Sequence, residues 1–135
     1  MIKLPKFNLF IHYFSYIDDE GLLKLAEKCK ELKSLNISNL PRITERTVRA
    51  VSEKIKSLES LDISECPLIT GMDCYYLKKL KSLKLLLIRN IKFCDSEVQF
   101  LEDLKNLETL SLSSKLFFLI NFINFRCTKF NEWMS

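Results

Sequence analysis

Hydrophobic residues return along this chain at a nearly fixed period. Leu58, Leu61, Ile63, Cys66 and Ile69, closed by Thr70, are matched one period earlier by Leu32, Leu35, Ile37, Leu40 and Ile43, closed by Thr44. Leu83, Leu86, Ile88, Ile91 and Cys94, closed by Asp95, repeat them one period later. A further copy starts at Leu107, Leu110 and Leu112 and loses the pattern after Ser114. A weaker one lies upstream in Leu9, Ile11, Phe14, Ile17 and Asp18. After each closing residue the spacing changes to steps of three and four, as in Leu22, Leu25, Cys29 and in Val48, Val51, Ile55. Leu77, Leu80 and then Leu101, Leu104 continue that series.

Two periods predict two elements per unit. The L-x-L core is a short strand whose alternate residues point inward, and the three-four spacing is one face of a helix. Asp18, Thr44, Thr70 and Asp95 stand at the junction in four successive units. Each carries a side-chain oxygen able to accept from the unpaired N–H groups of a helix start, so all four are predicted N-caps. One unit cannot bury both its strand leucines and its helix face. Stacked units can, which predicts an α/β fold: a solenoid of about four to five units, with short parallel strands on the concave side and helices on the convex side. The array spans residues 1–114, with units starting near positions 6, 32, 58, 83 and 107.

Leu58, Leu61, Ile63, Cys66, Ile69 and Thr70 give the unit its resemblance to the leucine-rich repeat, in its cysteine-containing subclass. The resemblance covers residues 9–114 and implies a binding scaffold. Repeats of this kind resemble the substrate-recognition arrays of F-box proteins in ubiquitin ligases, which implies a protein partner on the concave strand face. Residues 1–8 are too few for an F-box helix bundle, so ligase recruitment is not expected of this chain itself. The stretch from Tyr16 to Leu22 is also similar to a repeat start in the ATP synthase subunit s and coupling factor B family, which implies a small mitochondrial assembly factor as the alternative. One position departs from the subclass: its cysteine is Cys66 here but Leu40 and Ile91 in the flanking units, where the loop must close without a side-chain donor.

Composition narrows the chemistry. The 135 residues, 47% hydrophobic and 28% charged, suit one soluble globular core. Two glycines, Gly21 and Gly71, are too few for a phosphate-cradling loop, and the single histidine, His12, leaves no His-pair metal site. A net charge of +4 with both signs mixed along the chain gives no concentrated basic patch, so nucleic acid is not an expected partner. Five cysteines at no ligand spacing point to a reducing compartment and to core packing, with Cys29 in the row of Ile55, Leu80 and Leu104 and Cys94 in the row of Ile43 and Ile69. The expectation is a non-catalytic protein with no cofactor, no metal, no membrane span and no small-molecule ligand, located in the cytoplasm or nucleus, or alternatively in the mitochondrion.

The residues between the inward leucines would face a partner. Most are small and polar, such as Ser34, Ser60, Ser38 and Ser64. Leu85 and Leu87 are not, and Arg89 follows them, which makes this trio the expected contact point. Asp62, Asn36 and Phe10, from the same row as Leu87, complete the expected partner-binding set. Residues 115–135 form a separate stretch rich in Phe, Ile and Asn. The readings for it are a C-terminal tail or cap over the last unit, a short lipid-facing segment, or a disordered or non-native sequence.

Overall fold

A computed structural model describes residues 8–113 and 129–133. The fold is α/β. Among the described residues, six strands form one all-parallel sheet whose order is the order of the chain. They are β1 (Asn8–Phe10), β2 (Ser34–Asn36), β3 (Ser60–Asp62), β4 (Leu85–Leu87), β5 (Thr109–Ser113) and β6 (Lys129–Trp133). Helices α1 (Asp19–Lys28) and α2 (Glu45–Lys54) follow β1 and β2. Two 3-10 helices, Asp73–Lys79 and Asp95–Asp103, follow β3 and β4. The last strand comes from the stretch set apart above as a tail or cap; residues 114–128, with the apolar tract Leu116 to Phe125, lie outside the described residues.

The register follows the leucine pattern. Leu9 pairs with Leu35, Leu35 with Leu61, Leu61 with Leu86 and Leu86 with Leu110. The last four are at most 1% exposed, while their strand neighbours project to the other side of the sheet. Beneath the sheet, Ile37, Ile63, Ile88 and Leu112 join the buried faces of the helices in one continuous core. Cys29, Ile55, Leu80 and Leu104 each end a helix as its C-cap, and all four are buried, as their shared row predicts.

Just past each of the first four strands, one non-glycine residue takes a left-handed backbone: Tyr13, Asn39, Glu65 and Asn90, with φ between 58° and 69°. The chain leaves the sheet there and heads for the helix layer. The amides of Tyr13, Asn39 and Glu65 still donate to the next strand segment, at Ser38, Ser64 and Arg89, so the parallel ladder runs up to the bend itself.

The change from α to 3-10 helix has a length argument. The central leucines Leu9, Leu35 and Leu61 of the first three strands are evenly spaced. The interval from Leu61 to Leu86 is one residue shorter, and that from Leu86 to Leu110 is one shorter again. A 3-10 helix rises about 2.0 Å per residue against about 1.5 Å for an α-helix, so a shortened unit spans the same distance with fewer residues.

Three expectations are corrected in these two shortened units. Asp18 and Thr44 cap as predicted, accepting from the amides of Gly21 at 3.2 Å and Arg46 at 3.3 Å. In the fourth unit, however, the cap is Cys94, not Asp95, and Cys94 is exposed rather than in the core. The further shortening between β4 and β5 moves Phe93 into the row of Ile43 and Ile69, where it packs against the core. Thr70 reverses its expected role: its amide and hydroxyl donate to Asp73 Oδ2 at 2.8 and 3.1 Å, and the helix cap is Met72, which makes no side-chain bond.

Candidate functional site

The strand face opposite the core carries two rows, Asn8, Ser34, Ser60, Leu85, Thr109 and Phe10, Asn36, Asp62, Leu87, Ser111, set side by side by the register. Within them a polar motif repeats. Asn36 Oδ1 accepts from the Ser38 amide at 3.0 Å and the Ser38 hydroxyl at 2.7 Å. One strand on, Asp62 Oδ1 accepts from the Ser64 amide at 2.9 Å. Both are side chains closing on a backbone two residues ahead, which stiffens the strand exit.

Leu87 occupies the next place in that row and has no polar atom to continue the motif. Arg89 takes over by reaching back. Its amide donates to Ser64 Oγ at 3.0 Å, its Nε approaches the same oxygen at 3.5 Å, and its guanidinium stands 3.6 Å from Asp62 Oδ2. Asp62 is thereby only 8% exposed on a face expected to be solvated, and the Arg89 side chain is 27% exposed. The structure therefore brings together Leu85, Leu87, Arg89 and Asp62, with Ser64 as the shared acceptor that the sequence reading left out of the set. Leu85 and Leu87 are half-buried between the small residues Ser60 and Thr109, and Asp62 and Ser111.

Phe10 is not part of this cluster. It lies three strands away on the edge strand, 58% exposed, beside Asn36 and with its ring 6.5 Å from His12. At the usual separation of about 4.8 Å per strand, that is roughly 14 Å from Leu87. The Phe10 edge and the Leu87 cluster are bridged only by the two polar residues Asn36 and Asp62. His12 follows β1, half-buried, its Nδ1 without a hydrogen-bond partner among the described residues.

The cysteines have a structural part in the helix layer and loops. Cys66 Sγ donates to the Ile37 carbonyl of the preceding unit at 3.2 Å, and burial pushes its thiol up to about 11. Burial also raises Cys29 and, with neighbouring Asp73 and Glu97, Cys74. These three thiols stay protonated near neutral pH, and a protonated thiol is a poor nucleophile or metal ligand. Cys127 lies outside the described residues. Among the described residues, no group of His, Cys, Asp and Glu is arranged to hold a metal ion, and no helix is long and apolar enough to cross a membrane.

No protein-family model matches this chain, and a search of curated proteins finds no match.

Proposed function

We propose that this chain is a short leucine-rich-repeat solenoid that works as a non-catalytic protein-interaction module. Its protein partner docks on the strand face over Leu85, Leu87 and Arg89, with Asp62 and Asn36 as the polar flank and Phe10 as an outlying contact. The observation that carries the reading is the replacement of small polar residues by two leucines at one strand of a face that is polar on the strands to either side, beside an arginine already held in place. A positioned arginine next to apolar side chains binds with little further loss of conformational freedom, the usual make-up of an interface hot spot. The repeat reading is supported by strand order equal to chain order and by the bend residues Tyr13, Asn39, Glu65 and Asn90 recurring in step with the strands. By its resemblance the module would select a substrate for a ubiquitin ligase in the cytoplasm or nucleus; a mitochondrial assembly role is the alternative.

The test is affinity capture from native lysate with the wild-type protein and a Leu85→Ser/Leu87→Ser variant. Serine at these places continues rows already occupied by Ser60 and Ser111, so the fold is expected to survive, as circular dichroism would verify. A protein retained by the wild type and lost by the variant supports the proposal, and its identity separates ligase from mitochondrial assembly. Equal retention by both refutes the strand face as the binding surface.

A further inference from the structure

The other side of the molecule holds a groove of about 810 Å³ between α2 and the two 3-10 helices. That is within the usual range of roughly 300–1,000 Å³ for ligand-binding clefts. Its apolar lining is Met72, Tyr75, Tyr76 and Phe100. Met72 is 69% exposed and Tyr75 55%, so two large side chains stand open to solvent at the mouth of the groove. Met72 sits at the start of a 3-10 helix, and Tyr75 is on the outer face of that helix.

The charge around this lining is one-sided. Glu45, Asp73, Glu97, Glu102 and Asp103 line the groove with only Arg49 and Lys78 against them, on a chain whose net charge is +4. Both cations are already turned onto aromatic rings. Lys78 Nζ lies 3.7 Å from the centre of the Tyr75 ring and bonds the Tyr75 hydroxyl, and Arg49 stands 5.8 Å from the Tyr76 ring while paired with Glu53 at 3.2 Å. Tyr75 therefore already serves as a seat for a cation, and the chain's own lysine occupies it.

From this complementarity we propose that the groove binds a basic amphipathic segment of a partner protein. An apolar side chain of that segment packs among Met72, Tyr75 and Tyr76, above the buried Phe100 ring, its lysines or arginines meet Glu45 and Asp103, and one cation takes the Tyr75 face from Lys78. This surface lies on the helix side, and none of the residues lining it belongs to the strand face. Apolar anchors supply the affinity, and the rim carboxylates supply preference for a basic over an acidic segment.

The experiment is fluorescence anisotropy of the full chain with two labelled peptides of about fourteen residues and one leucine pattern at helical spacing, one with lysine and the other with glutamate at the polar positions. The lysine peptide is expected to bind, more weakly as salt rises, and the glutamate peptide to bind at least about tenfold worse. Met72→Ser/Tyr75→Ser should weaken the lysine peptide by about tenfold or more. Glu45→Gln/Asp103→Asn should weaken it several-fold and flatten its salt dependence. Lys78→Ala, which uncovers the Tyr75 ring, should bind it more tightly than wild type. Leu85→Ser/Leu87→Ser and Glu65→Gln, placed elsewhere on the molecule, should bind as wild type does. All these substitutions fall on exposed or half-exposed side chains, and circular dichroism with thermal melts verifies each fold. Equal binding of the two peptides overturns the proposal. So does binding insensitive to the groove variants, or binding lost in the strand-face variant.

Discussion

Asp19 ties two successive units together, and its removal should be among the costliest changes to a polar residue. The side chain leaves the first turn of α1 and is only 7% exposed. Its Oδ1 accepts from the Thr44 amide at 2.8 Å and the Thr47 hydroxyl at 2.6 Å, and its Oδ2 accepts from the Thr44 hydroxyl at 2.6 Å. Thr44 is in turn the N-cap of α2, so one carboxylate sets both the cap of the next helix and its first turn. A hydrogen bond to a charged group contributes about 1.5–3 kcal/mol, but the three do not simply add, because burying the carboxylate opposes them. Asp19→Ala removes the acceptor and leaves three donors facing a small void, for an expected loss of about 3 kcal/mol. Asp19→Asn keeps one carbonyl oxygen for the Thr44 amide and Thr47, and should lose only about 1 kcal/mol. Against a total stability of about 5–15 kcal/mol, urea melts resolve the two easily.

The pH dependence gives an independent check on the same carboxylate. Burial pushes the Asp19 carboxyl up, but the bonds from Thr44 and Thr47 and the nearby Arg46 charge outweigh it, and the net shift is below the usual aspartate value. A carboxyl lowered by folding contributes stability that is complete above its unfolded value of about 3.9 and is lost as pH falls through the folded value. The stability gap between wild type and Asp19→Ala should therefore be widest near neutral pH and narrow below about pH 4. Other carboxylates titrate in both proteins and largely cancel from the difference. An alanine cost under about 1 kcal/mol, equal costs for alanine and asparagine, or a gap unchanged down to about pH 2 would refute the clamp.

Three further substitutions probe single features. Ser52 lies fully buried in α2, and its hydroxyl has no hydrogen-bond partner among the described residues, so Ser52→Ala should raise stability by about 0.5–1 kcal/mol in a urea melt, and a loss would mean the hydroxyl is bonded after all. At Gly71, a methyl group would press on the Phe93 ring and the Glu97 carboxylate, which holds the Cys94 amide at 2.7 Å, so Gly71→Ala should cost about 1–3 kcal/mol by thermal melt. Exposed Glu65 holds φ 58°, a conformation shared by Asn39 and Asn90 at the same place, and asparagine tolerates it better. Glu65→Asn should therefore raise Tm by a few degrees, corresponding to about 0.5–1 kcal/mol, whereas a lower Tm would show that the bend carries no strain.

What was legible in the sequence is what local periodicity encodes. Leu35, Leu61, Leu86 and Leu110 reveal the strands because a residue facing the core must be apolar at every unit, and Asp18 and Thr44 reveal helix starts because a cap acts within three residues of itself. Interactions between units were not legible, since they depend on which residues the stacking brings side by side. Asp19 reads as one more acid in a first turn until Thr44 and Thr47, 25 and 28 residues ahead, are seen to converge on it. Asp62 reads as an open partner contact on the strand face, yet Ser64 and Arg89 enclose it. A fixed-period alignment also fails wherever the period drifts. One residue lost after Ile91 was enough to turn Cys94 from core to cap and to bring Phe93 over Gly71, where it stacks on Phe100 with ring centres 6.3 Å apart.

That drift connects fold to surface. The first two units have room for α-helices, and their outer faces carry exposed ion pairs such as Arg46 with Glu20 at 2.7 Å and Lys54 with Glu27 at 3.2 Å around a smaller groove of about 480 Å³. The shortened third and fourth units are bridged by 3-10 helices, and it is there that Met72 and Tyr75 stand out and the larger groove opens. The fourth unit also carries Leu85, Leu87 and Arg89 on the strand side. A mutation that restored the third unit to the length of the second would therefore be expected to act on both faces together: a fuller helix would redirect Tyr75, and the register of β4 against β3 would have to be re-established. Inserting one alanine after Lys79 tests this. Loss of peptide binding in the groove with the strand-face capture intact would mean that the two surfaces are built independently, and loss of both would mean that unit length is the variable that sets them.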